Sequence, residues 1–274
     1  MDQHANVGVR YGRWRATPLV GASIVGHVAA VGLVALRPAI WPWVLGSLVA
    51  DHAVLTAAGL WPRSALLGPN WTRLSPAARA RSEVALTIDD GPEPEVTPLL
   101  LDVLEQYGAR ATFFCIGEKV IEHPALAREI VRRGHCIENH SHRHLHRFSL
   151  LGPRGMAAEV ATAQSAIIGV VGVVPRFFRA PAGLRNVFLE PVLARAGLRL
   201  ASWTRRGFDT VTDRPAVVLE RLTNGLAAGD ILLLHDGHAA RSKGGRPVVM
   251  DVLPALLEEI SACGLKPVTL AGSL

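Results

Sequence analysis

The chain has 274 residues, 49% hydrophobic and only 19% charged, which is too apolar for a disordered polypeptide and long enough for one catalytic-sized domain with something added. A formal charge of +6 would suit a nucleic-acid binder, but residues 1–82 carry eight arginines against Asp2 and Asp51, and residues 83–274 hold 21 basic and 21 acidic side chains. The excess therefore lies outside the globular part, and no nucleic-acid face is expected there.

In chain order, residues 1–17 read as a basic tail. Residues 18–36 follow, a run of nineteen whose only polar side chains are Ser23 and His27, matching the roughly 20 apolar residues of a bilayer-crossing helix. A second apolar stretch covers 39–61, with Trp41, Trp43 and Trp61 near its ends as in an aromatic belt and with Asp51 and His52 inside it. A carboxylate at that depth costs roughly 2.5–3.5 kcal/mol on insertion scales. Residues 18–61 are thus expected to form a membrane anchor of one or two transmembrane helices. In a hairpin turning at Arg37-Pro38, His27 and Asp51 lie at similar depth and can satisfy one another. The rival is a signal peptide, but the apolar core exceeds the usual length of about 7–15 residues and no clear A-x-A site follows. The arginines flanking a two-span anchor favour both ends in the cytoplasm of a bacterial-type inner membrane; a single span puts the domain on the other face. Residues 62–82, with several prolines and arginines, read as a linker.

From residue 83 to 274 short β-type runs (84–88, 111–115, 135–139, 176–179, 199–203, 230–235 and 267–270) alternate with amphipathic stretches at 97–107, 118–133, 155–171, 187–196, 215–227 and 248–263. Gly108, Gly134, Gly197, Gly229 and Gly264 each follow a helical run, as C-terminal caps do. Strict alternation implies parallel βα units, in a barrel or a doubly wound open sheet. Cys115, Cys136 and Cys263 are odd in number and widely spaced, which indicates buried free thiols and no disulfide framework or zinc ribbon.

Ionisable residues gather at the ends of these strands: Asp89-Asp90 after the first, His140 to His144 after the third, Arg179 ending the fourth, Asp209 after the fifth and His235 ending the sixth. In a parallel architecture those ends share one face, where active sites are built. Thr87-Ile88-Asp89-Asp90-Gly91-Pro92 sets two carboxylates side by side; one can bind a metal while the other takes a proton, although a helix-capping turn has the same sequence. Four histidines fall within His140–His146. If that run is helical, His140 and His144 share a face and suit one metal ion, whereas a solvated loop gives only adventitious affinity. A lone His235 on the apolar run Ile231-Leu232-Leu233-Leu234 is equally a satisfied core residue, and Asp209 and Arg179 could be structural ion-pair partners. Convergence on one rim favours the functional reading.

These residues carry a resemblance. Thr87-Ile88-Asp89-Asp90-Gly91-Pro92 resembles the Thr-Phe-Asp-Asp-Gly-Pro motif of the polysaccharide deacetylase family, the NodB-homology domain of carbohydrate esterase type. His140-Ser141-x-x-His144 is similar to its metal motif, Arg179-Ala180-Pro181-Ala182-Gly183 to its Arg-x-Pro-x-Gly motif, and Leu233-Leu234-His235 to its Leu-x-His motif. The resemblance implies a distorted seven-stranded (β/α) barrel behind the hydrophobic hairpin. It also implies a divalent metal, usually Zn2+, and hydrolysis of an N-acyl group, usually N-acetyl, from an amino sugar in a polysaccharide, an oligosaccharide or a lipid-linked sugar. By the same resemblance Asp90, His140 and His144 bind the metal and Asp89 is the general base. His235 is then the general acid tuned by Asp209, Arg179 positions Asp89, and the backbone N–H of Ala182 serves the oxyanion. Two departures stand out. Ala182 replaces the usual aromatic residue, and Arg206-Gly207-Phe208-Asp209 aligns with an Asp-x-x-Asp pattern, keeping only its second acid. Together with Arg205, Arg206, Arg241, Lys243 and Arg246 in loops near the rim, this makes an anionic substrate plausible. The other readings are a catalytically silent carbohydrate- or lipid-binding membrane module that keeps the metal site, and a metal-storage protein holding several ions.

Overall fold

A computed structural model describes residues 14–273; most of the expected basic tail lies outside them. The N-terminal region is a hairpin of two apolar helices, α1 (Pro18–Leu36) and α2 (Trp41–Leu60), joined by a single 3-10 turn. Both are long and apolar enough to cross a membrane, and only 11% and 17% of the two apolar stretches is buried, unlike the core helix of a soluble domain. Val25, Val28, Val31, Trp43 and Val49 face outward. The polar residues lie along the seam, where Ser23 Oγ donates to Asp51 Oδ2 at 2.7 Å. His27 stands 3.9 Å from the same carboxylate, with its Nδ1 2.8 Å from the Ser23 carbonyl and its Nε2 3.2 Å from His52 Nε2. The hydroxyl one turn away, rather than His27, is therefore the short partner of Asp51.

The hairpin foot is docked through Val20, Leu55, Ala58 and Leu67. The Gly59 carbonyl accepts the Arg185 N–H, and the buried Arg185 guanidinium donates to the Ser64 and Gly68 carbonyls. A Cβ at residue 59 would lie 2.1 Å from the Arg185 carbonyl oxygen, so only glycine permits this approach. Residues 62–82 contain the short helix α3 (Pro76–Ala80) and lie against the main domain. Trp71 exchanges backbone hydrogen bonds with Leu200 and Ser202, Leu74 N–H donates to the Gly229 carbonyl, and Arg73 reaches Asp230 at 2.9 Å.

The main domain is a parallel sheet of β1 (Glu83–Asp89), β2 (Thr112–Cys115), β3 (Cys136–Asn139), β4 (Phe177–Phe178), β5 (Arg199–Leu200), β6 (Arg205–Arg206), β7 (Ile231–His235) and β8 (Lys266–Val268). Seven strands follow one curled path, β5-β4-β3-β2-β1-β7-β6, and β8 pairs with the first half of β1. This is the distorted barrel expected from the resemblance. Around it lie α4 (Thr97–Gln106), α5 (Gly117–Glu122), α6 (Pro124–Arg132), α7 (Pro153–Val171), α8 (Leu189–Ala196), α9 (Pro215–Thr223) and α10 (Val249–Ala262).

Local departures from the sequence reading have local causes. The helix expected over 118–133 breaks in two because Pro124 excludes a helical conformation at His123, leaving it at φ −124°, ψ 58°. The strand expected over 199–203 ends at Leu200, and the chain re-enters the sheet two-residue-long at Arg205–Arg206, too short and too charged to show as periodicity. The thiols are not uniformly buried: Cys115 is, Cys136 is half-buried and Cys263 is exposed.

Strand parity sorts the interior. On β1, Val84, Leu86 and Ile88 face outward into the helical layer with Leu232 and Leu234 of β7. Ala85, Ile231, Leu233, Phe114 and Phe177 fill the barrel from inside with Trp203, closed below by Leu74, Ala78 and Leu270. Alternation then carries Thr87 and Asp89 of β1, and His235 of β7, to the same inner side, and Asp89 is the register partner of His235. The inner column is apolar at its base and ionisable at its carboxyl end.

Candidate functional site

The carboxyl ends of the strands enclose a cleft of about 680 Å³ whose walls include Asp89, Asp90, His140, His144, Ala182, Trp203, Arg206 and His235. Asp89, Asp90, His140, His144, Ala182, Arg206 and His235 line this cleft, and Arg179 and Asp209 touch residues that do.

Asp89 is the last residue of β1, and Asp90 follows at φ +77°. This left-handed turn overrides strict alternation, so both carboxylates face the cleft although neighbouring strand residues normally point apart. Their partners differ. Arg179, 1% exposed, sets Nη1 2.6 Å from Asp89 Oδ1 and 2.8 Å from Thr87 Oγ1, while its other nitrogens donate to the Ala201 and Ser202 carbonyls. The guanidinium also lies 4.0 Å over the Phe114 ring. Burial lowers the Arg179 pKa and Asp89 opposes that fall. A buried ion pair so fully hydrogen-bonded fixes the orientation of Asp89, leaving Oδ2 toward His140 at 3.8 Å.

Asp90 faces the histidines. Its Oδ1 is 3.2 Å from both His140 Nε2 and His144 Nε2, and its Oδ2 is 3.2 Å from His238 Nδ1. Burial resists ionisation of Asp90, but contacts with His140 and His238 outweigh it and hold the carboxyl well below its usual range. Burial and the neighbouring His140 lower His144 to about 4, so its imidazole is neutral near pH 7 and keeps a lone pair to offer. The segment that presents these imidazoles is not the helix on which the i, i+4 argument depended. It is a loop in which Ser141 at φ +62° and His144 at φ +49° curl the chain back on itself. Glu159 of α7, 3% exposed, pins the loop by accepting from the backbone N–H groups of His142 and Arg143 and from the Arg143 side chain. His140 Nδ1 lies 2.8 Å from the Arg179 carbonyl. That bond places the proton on Nδ1 and leaves the Nε2 lone pair facing the cleft.

The set fits a metal ion. The ligand atoms of Asp90, His140 and His144 lie within 4.8 Å of one another, and Asp90 Oδ1 is buried with no hydrogen-bond partner. Two imidazoles and a carboxylate are also the donor set of an open-sided catalytic centre. Among the described residues this is the one such group.

His235 and Asp209 form the other wall. Asp209, fully buried after Phe208 at φ +60°, accepts from His235 N–H at 2.7 Å and from His235 Nδ1 at 2.8 Å. Burial acts to lower the His235 pKa, but the Asp209 carboxylate prevails and raises it. Ala182, at φ 55°, sits in a single 3-10 turn on the cleft wall.

Sequence reasoning missed three supporting residues. His238 lies three positions beyond His235, and its pKa is raised by its bond to Asp90. Thr87, named in the sequence only as the start of the first motif and given no role there, shares strand parity with Asp89, the signal that points to its contact with Arg179. Asp236 is buried, receives Thr97 Oγ1 and the Gly237 N–H, and is pushed up to about 7 chiefly by burial. It lies where a Cβ on residue 91 would fall, 2.2 Å from Asp236 Oδ2, so the turn after Asp90 requires Gly91.

Comparison with known proteins gives matches over this domain. Residues 77–201 match the family model described as polysaccharide deacetylase. The chain is 32% identical to a chitooligosaccharide deacetylase of Azorhizobium caulinodans, over 67% of this chain and 90% of that protein. It is also 32% identical to a peptidoglycan-N-acetylglucosamine deacetylase of Bacillus cereus, over 69% and 86% respectively. Among solved structures, the family 4 carbohydrate esterase from Streptomyces lividans in complex with acetate superposes with a TM-score of 0.62 at 32% identity, covering 68% of this chain and 91% of that one.

Proposed function

The chain belongs to the polysaccharide deacetylase family, and we propose that it is a membrane-anchored, Zn2+-dependent hydrolase that removes an N-acetyl group from an amino sugar. The observation that carries this reading is the facing of three differently tuned groups on one cleft: the Asp90-His140-His144 set, Asp89 gripped by Arg179, and the His235-Asp209 pair.

The chemistry follows from those partners. A divalent ion, when bound by Asp90, His140 and His144, supplies Lewis acidity toward the amide carbonyl and the attacking water. Asp89, held by Arg179 and unable to turn away, accepts the proton of the attacking water. The Ala182 N–H donates to the oxyanion as it develops. The amine departs only when protonated, and His235 gives it that proton, its charged form sustained near neutral pH by Asp209. A silent binding module has no use for a buried acid–base pair beside an intact metal set, and the presence of every one of these residues disfavours it.

The finer reading is that the sugar is carried on a lipid at the membrane surface. It is supported by the join between anchor and cleft. The Pro62 carbonyl, two residues beyond α2, accepts from Ser202 Oγ at 2.7 Å, and Pro62 packs where a Cβ on the cleft residue Gly183 would lie, 2.8 Å from its own Cβ. The cleft wall and the end of the second apolar helix are thus immediate neighbours.

Acetate release from an N-acetylated chitooligosaccharide by zinc-loaded protein tests the activity. Asp89→Asn should lower kcat by about 100- to 10,000-fold with one bound zinc retained. Turnover unchanged by that substitution would sink the proposed role of Asp89. A reporter fused after the barrel reports the membrane face.

A further inference from the structure

Five basic residues near the rim raised the prospect of an anionic substrate, and the structure separates them. Arg205 places Nε 2.5 Å from Asp230 and its remaining nitrogens on the Asn224 and Gly225 carbonyls. Arg241 pairs with Glu95 at 2.8 Å and Arg246 with Asp251 at 3.3 Å. Neither these three nor Lys243 lines the cleft. The other cations of the cleft and its floor are also engaged: Lys119 with Glu93 at 3.0 Å, Arg143 with Glu159 at 2.7 Å and Arg179 with Asp89.

Arg206 differs from all of them. The register of β6 on β7 pairs Arg205 with Leu232, which faces the outer helices, and Arg206 with Leu233, which faces the barrel interior. One strand residue is therefore a structural arginine and the next opens onto the cleft. Its guanidinium lies 5.3 Å from the Trp203 ring and 4.9 Å from the Phe208 ring. These contacts satisfy the faces of the cation and leave its N–H edges available. No described carboxylate pairs with it, and its Nε is buried without a hydrogen-bond partner. A half-buried guanidinium held by aromatic rings, with an unmatched donor edge, suits a planar or tetrahedral oxyanion. Arg206 also stands where the motif resemblance puts an acid, so the sign of charge on this wall is inverted.

We propose that Arg206 is an anion-recognising subsite of the cleft, binding a phosphate or carboxylate carried by the substrate. The substrate class rests on the amino-sugar reading above, whereas the subsite itself rests on Arg206 and its surroundings.

The test is equilibrium binding to the full chain in detergent, stripped of metal with a chelator so that the anion cannot bind a metal ion. The probes are N-acetylglucosamine 1-phosphate, N-acetylmuramic acid and the neutral methyl glycoside of N-acetylglucosamine. At least one anionic probe should bind about 10- to 100-fold more tightly than the neutral one, the span expected of a charged hydrogen bond; which one does distinguishes phosphate from carboxylate. The preference should vanish in Arg206→Gln, survive in part in Arg206→Lys, and weaken with added salt. Equal binding of all three probes by the native chain, or a preference untouched by Arg206→Gln, overturns the proposal. Turnover of neutral glycans without an anion preference would sink this subsite alone, and an Arg206-dependent preference without turnover of any acylated sugar would sink the deacetylase reading alone.

Discussion

The hairpin and the barrel each hold an aspartate among apolar elements, and they treat it in opposite ways. In the hairpin Asp51 is met by a neutral hydroxyl, Ser23 Oγ at 2.7 Å, on helices whose outer faces are apolar and open. In the barrel Asp89 is met by a full cation, Arg179, inside an enclosed wall with two carbonyls, a threonine and a phenyl ring completing the shell. A hydroxyl is enough where an acid need only be tolerated. A buried guanidinium serves where the acid must be held and aimed at one point, because several hydrogen bonds to one rigid planar group fix its orientation.

Three substitutions probe that contrast, in decreasing order of effect. Arg179→Met should destabilise the folded chain by about 3–5 kcal/mol, the penalty for leaving a buried carboxylate unpaired; chemical denaturation measures it, and a loss under about 1 kcal/mol would show that Asp89 is not held as described. Asp209→Asn should leave the fold largely intact and act on protonation. Asp209 raises the His235 pKa, so the acid form persists above the ordinary histidine value of about 6.5 and activity falls as pH rises through the raised value. Removing the Asp209 charge should move that alkaline limb of the kcat/KM profile to lower pH. A limb that stays in place would exclude His235 as the proton donor. Ser23→Ala is the mildest, about 1 kcal/mol or less, a typical hydrogen-bond contribution, since His27 already stands 3.9 Å from Asp51 and can move toward it. The double change with His27→Ala should cost more than the sum of the two single changes in a detergent stability assay, and strict additivity would mean that the two residues do not share the acid.

Much of the site was legible because strand parity and strand direction are local properties. Parallel strands bring their carboxyl ends to one face, and the pairing of β1 with β7 then sets Asp89 against His235 in register. The helical reading of His140–His144 failed because periodicity cannot see left-handed residues: Ser141 and His144 break the helix yet bring the same two imidazoles onto Asp90. His238 stayed hidden because its contact with Asp90 spans 148 positions and follows no spacing rule.

The sequence by itself determined the order of the main parallel βα units, the confinement of the excess charge to the first 82 residues, and the gathering of ionisable residues at strand ends, since each depends on composition or on a period of two or 3.6. Tertiary structure alone decided which charges are already matched. Arg205 and Arg206 are adjacent and chemically identical, and nothing in their order says that one is locked to Asp230 while the other faces an open cleft. The pairing of strands says it, because only a partner strand in fixed register defines which side of a two-residue strand is the inside.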